Sequence, residues 1–223
     1  MQRSVLERRV EAEKNASKRI EEANKRRQIE EFKKKSFEKT SSELREMVAL
    51  GKFSEVGERS EQILSEDPEN APALMWWGIA LVKLQQYELA LEKFEKASQL
   101  DQRSAKTYLY WGLTLSLQKK FDEAILKYRT ALQLDPESSN AYAYWGGSLA
   151  NLQNYGEAIK KLEQALELNS YNSIALGLLV DAYFQTRQYD KAWETVARAR
   201  KGKVDISEES LQRLREVMPE PGS

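Results

Sequence analysis

Two residue types that carry much of protein chemistry are missing: the 223 residues include no cysteine and no histidine. Without thiols there are no disulfides, thiol nucleophiles or zinc–thiolate sites. Without imidazole the commonest general base and metal ligand is gone, and with it the side chain that titrates near neutral pH. Catalysis would have to run on carboxylates or lysine, so the expectation is a non-enzyme without cofactor or metal. Glycine and proline are scarce, at 10 and 5 residues, which argues against a β-sandwich and for helices. No apolar run approaches the ~18 residues of a membrane helix. The N-terminus lacks the apolar stretch of a secretory signal. These absences lead to the expectation of a soluble, cytoplasmic chain.

What is abundant is charge. Charged residues make up 31% and hydrophobic residues 41%, enough to bury a core and remain very soluble. The zero net charge hides an asymmetry. Residues 1–40 carry 13 Lys/Arg against 8 Asp/Glu, whereas the remainder carries 22 against 27: a basic arm on an acidic body.

One period runs through the body. Phe53, Tyr87, Phe121, Tyr155 and Tyr189 are spaced by 34 positions, as are Val56, Ala90, Ala124, Ala158 and Ala192. Ala97, Ala131, Ala165 and Ala199 keep the interval, with Gly78, Gly112 and Gly146 and with Trp77, Trp111 and Trp145. Each unit reads as two helices. In 105–138, Tyr108, Trp111, Gly112 and Leu115 share one helical face, and Ala124, Tyr128, Ala131 and Leu132 share a second. Asp122 is placed to cap the second helix. Asp67-Pro68 and Asp135-Pro136 close units, since the residue before proline disfavours helix; Asp101-Gln102 and Asn169-Ser170 are weaker stops. Gly112 facing Ala124 lets two backbones approach, and aromatics fill the space around the contact.

These residues resemble the tetratricopeptide repeat, whose 34-residue pattern runs aromatic or leucine, Leu-Gly, Tyr, Ala, aromatic, Ala, Pro. Units 71–104, 105–138, 139–172 and 173–206 fit well. Unit 37–70 is degenerate, with Leu44 in place of glycine. The resemblance implies an all-α, right-handed solenoid of helix-turn-helix pairs that binds a partner protein. Trp77, Trp111 and Trp145 stand where leucine is usual, as core fillers or as ligand contacts. In the last unit Val180 replaces glycine. Asp205 and Glu208 form a capping box before a helix 207–218, whose Leu211, Leu214 and Val217 would cover the exposed end of the stack. Residues 219–223 read as a disordered tail, and residues 1–36 as a charged helical arm.

In such a stack the first helix of each pair lines the concave side. The family geometry then places Met75, Trp76, Ile79, Val82 and Lys83 in the groove from the first complete unit. The next contributes Lys106, Leu109, Tyr110, Leu113 and Ser116. Asn140, Ala143, Tyr144, Gly147 and Asn151 follow, then Ile174, Leu178, Asp181 and Phe184. So apolar a face marks an interaction site, and Trp and Tyr are typical of binding hot spots. Burying ~600 Å2 of it is worth on the order of 15 kcal/mol gross, before ordering costs cancel most of that. The same residues could instead contact one another or the arm in a tight superhelix. Some tetratricopeptide modules clamp the terminal carboxylate of chaperone tails with Lys, Asn and Arg. Here those places hold Met75, Ile79, Tyr110, Asn140 and Tyr144, and starting one unit earlier only Lys106 fits. The expected partner is therefore an apolar, helix-like segment. The alternative is a self-assembling protein whose arm or cap helix docks in a neighbour's groove.

The arm contains no Gly or Pro, and its apolar residues are sparse: Val5, Leu6, Val10, Ala16, Ile20, Ala23, Ile29 and Phe32. Glu13, Ser17, Asn24 and Arg27 interrupt any heptad seam. A solvated helix, a coiled coil or self-docking helix, and a basic surface for nucleic acid or anionic membrane all remain open. The last would use Arg8, Arg9, Lys25, Arg26, Arg27, Lys33, Lys34 and Lys35, but glutamates dilute the field and no aromatics interleave for stacking.

Overall fold

The computed structural model describes residues 2–221, with side chains from Lys14 onward and at Glu11. The sequence expectations for Val5, Leu6, Arg8, Arg9, Val10, Glu13, Gly222 and Ser223 therefore lie outside the described side chains or residues. All the described secondary structure is helical. α1 (Gln2–Ala49) is a single rod in which the arm and the first helix of unit 37–70 are continuous; with no Gly or Pro between them, nothing stops the helix. α2 (Phe53–Glu66) completes that unit. Four further pairs follow: α3 (Ala71–Lys83) with α4 (Tyr87–Leu100), α5 (Ala105–Leu117) with α6 (Phe121–Leu134), α7 (Ser139–Asn151) with α8 (Tyr155–Leu168), and α9 (Ser173–Gln185) with α10 (Tyr189–Lys201). α11 (Glu208–Val217) ends the array.

The connections are as regular as the helices. Within each pair the turn residue is left-handed: Gly51, Gln85, Lys119, Gln153 and Arg187, all with φ between 58° and 75°. After α3 the Gln86 N–H donates to Leu81 O and the Gln85 N–H to Val82 O, a Schellman closure that satisfies the last carbonyls. Second helices end at Asp67, Asp101, Asp135 and Asn169. Oδ1 of Asp101, Asp135 and Asn169 each accepts from the N–H two residues on, as an Asx turn. Asn70, Ser104 and Asn172 then cap the following first helices with their side chains. Two expected caps differ. Asp122 lies inside the first turn of α6, where Lys120 is the N-cap, so it acts on the helix dipole alone. Ser207, not Asp205, caps α11 and accepts from the Ser210 N–H at 3.2 Å.

From α1 to α10 each helix packs on the next, α11 packs on α9, and successive first helices also touch: α1 on α3, α3 on α5, α5 on α7, α7 on α9. Within each pair two register positions, sixteen residues apart, exchange volume. A Cβ on Gly78 would lie 2.7 Å from the Phe94 ring, one on Gly112 2.6 Å from Tyr128, and one on Gly146 2.7 Å from Leu162. In the terminal pairs these positions hold Leu44 with Ser60 and Val180 with Val196, all buried. The degenerate first unit thus puts the large residue on its first helix and the small one on its second, keeping the sum close to constant.

A second pair of positions forms a ladder on the outer face. Lys93, Lys127 and Lys161 place their ammonium groups 3.7, 3.4 and 4.4 Å from the ring centroids of Trp77, Trp111 and Trp145, within cation–π range. Burial there pushes the Lys93 and Lys127 ammonium groups below their usual range. Trp77 also lies against the preceding second helix, where a Cβ on Gly57 would sit 3.1 Å from its Nε1. The tryptophans therefore fill the seams between second helices. In the first unit, which has no preceding second helix, the same positions hold Glu43 and Arg59, an ion pair at 2.5 Å.

At the other end α11 covers the last pair with Leu211 and Leu214, both buried. Val217, expected on that covered face, is instead half-exposed. The chain then turns back: the Trp193 Nε1–H donates to Met218 O at 3.2 Å, and Arg200 pairs with Glu220. The expected disordered tail is thus tied down as far as Glu220.

Candidate functional site

The concave face is built from the first helices, and the residues chosen for it from the sequence divide into groups. Met75, Trp76 and Ile79 are only 6, 4 and 2% exposed. They belong to one cluster with Leu44, Met47 and Val48 of α1, against which Val82 and Tyr110 pack. Their expected place on an open groove is corrected: the C-terminal part of α1 packs on α3 and closes that stretch. Lys106 lies over the Trp76 ring, Nζ 3.8 Å from its centroid. Burial there, with a contribution from Arg45, pushes its ammonium below the usual range.

Asp181 and Phe184 are taken by the cap helix. Asp181 Oδ1 accepts from Arg213 Nη2 and from Ser210 Oγ, each at 2.8 Å. The Arg213 guanidinium stands 5.5 Å from the Phe184 ring. Asn140 Oδ1 accepts from Asn172 Nδ2 at 2.8 Å and so locks two successive units together.

Leu109, Leu113, Tyr144, Asn151 and Leu178 surround the middle of the array. Leu113, Tyr144, Asn151 and Leu178 line a concavity of about 480 Å3 with Ser116, Leu117, Lys119, Phe121 and Gly147. Its floor is a satisfied polar network. Ser116 Oγ lies 2.7 Å from Ser148 Oγ and 3.1 Å from the Tyr128 hydroxyl, and the Tyr128 and Tyr144 rings stack at 6.1 Å. Gly147 lets Leu178 close in, since a Cβ there would stand 3.0 Å from Leu178 Cδ1. Burial raises the Tyr144 and Tyr110 hydroxyls above the ordinary phenol range, so both are neutral donors at physiological pH. Asn151 Nδ2 donates back to Gly147 O at 2.9 Å.

Leu117, Lys119 and Phe121 were missing from the sequence list. They sit at the end of α5, in the turn after it and at the start of α6, just past the helical positions that the groove pattern samples. Their 34-residue register with Gln85 and Tyr87 could have drawn attention to them. Toward the N-terminal end, a separate crevice of about 460 Å3 runs between α1 and the start of α3, past Lys34, Phe37, Ser41 and Pro72.

Among the described residues no group of three acidic side chains is arranged to hold a metal, and no helix is long and apolar enough to cross a membrane. What the concave site offers is shape, apolar surface and a few neutral hydrogen-bonding groups.

Known proteins share this architecture. Two tetratricopeptide repeat models match, one over residues 105–138 and one over 149–216. A structure from work on the functional characterization of Pseudomonas aeruginosa PilF superposes with a TM-score of 0.75 at 22% identity, covering 84% of this chain and 86% of that one. A MamA crystal structure gives 0.62 at 21% identity over 71% of this chain and 92% of the other. A thermophilic tetratricopeptide repeat protein of Thermus thermophilus gives 0.65 at 18%, over 82% and 98%. No curated protein sequence matches at a significant level. The unbroken 34-residue register, the helix pairs it produces and the two family matches identify this chain as a tetratricopeptide repeat protein.

Proposed function

We propose that the chain is a binding scaffold that receives an apolar, helix-like segment of a partner protein on the central part of its concave face. The observation that carries this reading is the concavity between α5, α7 and α9, where Leu113, Leu117, Phe121, Tyr144 and Leu178 converge around a polar floor that is already satisfied. Apolar walls with few free polar groups favour a segment that brings its own hydrogen-bonded backbone, as a helix does. The absence of a lysine–asparagine clamp at Met75, Ile79, Tyr110, Asn140 and Tyr144 argues against an acidic chaperone tail.

A photo-crosslinking residue placed at Asn151, which is exposed, tests the site. It should capture a discrete partner, and Leu117→Glu should abolish that capture while leaving the helical circular dichroism unchanged. Capture that survives Leu117→Glu would move the binding surface elsewhere.

Self-assembly is the second reading, and the exposure of Ile20, Ile29 and Phe32 at 62, 57 and 75% favours the arm as its agent. The cap helix is already used on its own chain. Light scattering across a dilution series, with and without residues 2–29, separates the two readings: a monomer in both cases removes the second.

A further inference from the structure

We infer that the seam between α8 and α10, on the outer face, is a second binding site, one that takes an aromatic side chain accompanied by a cation from a basic segment of a partner protein. This site lies opposite the concave face and stands independently of the function proposed there.

The inference comes from comparing four equivalent seams. In the first three, a tryptophan of the first helix lies between second helices and a lysine of the unit's own second helix covers its ring. In the fourth, the tryptophan position holds Leu179 and the lysine position Thr195. Both line a cavity of about 700 Å3, within the size range of sites for small ligand groups. Tyr183 and Lys191 replace the missing pair only in part. They sit one turn away, with the ammonium 5.5 Å from the ring centroid, and leave the seam open.

Charge points the same way. In two of the three filled seams the lysine has a carboxylate of the preceding second helix nearby, Glu61 for Lys93 and Glu95 for Lys127; in the third, beside Lys161, that register position is Arg129. Glu163 holds that register position in the fourth seam, and no lysine answers it. Glu163 accepts instead from the Tyr183 hydroxyl at 2.6 Å. Glu167 and Glu194 stand on the same rim. Of the two cations there, Lys191 is directed to the Tyr183 ring and Arg198 is spent on the carbonyl oxygens of Ser170 and Leu166, both at 3.0 Å. The seam thus has an apolar floor of Leu166 and Leu179 beneath carboxylates, the complement of an aromatic ring carrying a positive group. An incoming ring would lie on Leu179, with its cation between Glu163 and Glu194.

The test uses the full chain and amide-resolved NMR titration with the peptide acetyl-Lys-Trp-Lys-amide. Tryptamine serves as the free aromatic amine and N-acetyltryptamine as its neutral counterpart. The peptide should shift amides of residues 163–170 and 179–198 and leave those of α3–α6 in place. Glu163→Gln should weaken the peptide about three- to fivefold, as expected for a partly exposed ion pair. Thr195→Lys, which restores the ladder's cation, should weaken it further. The double variant Leu179→Trp/Thr195→Lys should abolish binding; Thr195→Lys alone keeps the test decisive if the double variant does not fold. Shifts spread over the whole chain, equal binding by Thr195→Lys, or equal affinity for N-acetyltryptamine would overturn the assignment. Binding of tryptamine without the peptide would overturn the partner-protein source.

Discussion

At the scale of single residues, the fold is governed by which positions can carry a side chain. Gly112 and Gly177 both lie inside first helices, yet their surroundings are opposite. A Cβ on Gly112 would meet the Tyr128 ring at 2.6 Å and the Ala124 carbonyl oxygen at 3.1 Å, whereas one on Gly177 would meet nothing within 4 Å. Alanine gains about 1 kcal/mol over glycine in a helix interior. At Gly112 that gain is set against an overpacking cost of about 1–3 kcal/mol, because a backbone oxygen cannot swing aside as a ring can. Gly112→Ala should therefore lower the midpoint of chemical denaturation and Gly177→Ala should raise it. Equal shifts in one direction would show that helix propensity alone controls these sites. The sequence announced the first of these glycines through its 34-residue recurrence. It was silent on how Leu44 is tolerated at the same register, because the answer lies in a small partner, Ser60, sixteen residues away.

At the scale of helices, most of the array was legible. The pairs follow from apolar stripes and Asp-Pro stops, and the first four of the five second helices end at the Asp or Asn anticipated. The groove was less legible because membership depends on what neighbouring helices cover. Met75, Trp76 and Ile79 occupy groove positions by register, yet α1 closes over them. Asp181 and Phe184 do likewise and are taken by α11. That cap helix matters energetically. Leu214 is fully buried against the last pair, and truncating such a leucine costs about 2–5 kcal/mol. In a stack where each unit leans only on its neighbours, the loss stays local. Leu214→Ala should accelerate amide exchange across α9–α11 while α3–α6 keep their protection. Uniform acceleration along the chain would mean that the array unfolds as one cooperative block.

At the scale of the whole molecule, the two ends are finished differently. The C-terminal end is covered by a helix and a returning tail. The N-terminal end replaces the tryptophan–lysine pair with Glu43 and Arg59, presenting charge where an aromatic disc would invite another unit to stack. Beyond that end α1 continues as a rod that contributes little to holding the body together. Its side chains from Lys14 to Lys35 are exposed, and its internal ion pairs, Lys25 with Glu21 and Arg27 with Glu31, are solvent-facing. Lys33 reaches Glu69 at 3.1 Å across an exposed gap, a type of pair worth about 0–1 kcal/mol. Deleting residues 2–29 removes the rod and keeps both that pair and the crevice at Phe37. The shortened chain should melt within about 2 °C of the full one, since the loss of a few exposed ion pairs stays below ~1 kcal/mol. A fall of ten degrees or more would show that the arm packs on the body or on another copy, and the oligomeric state of the two proteins would then say which.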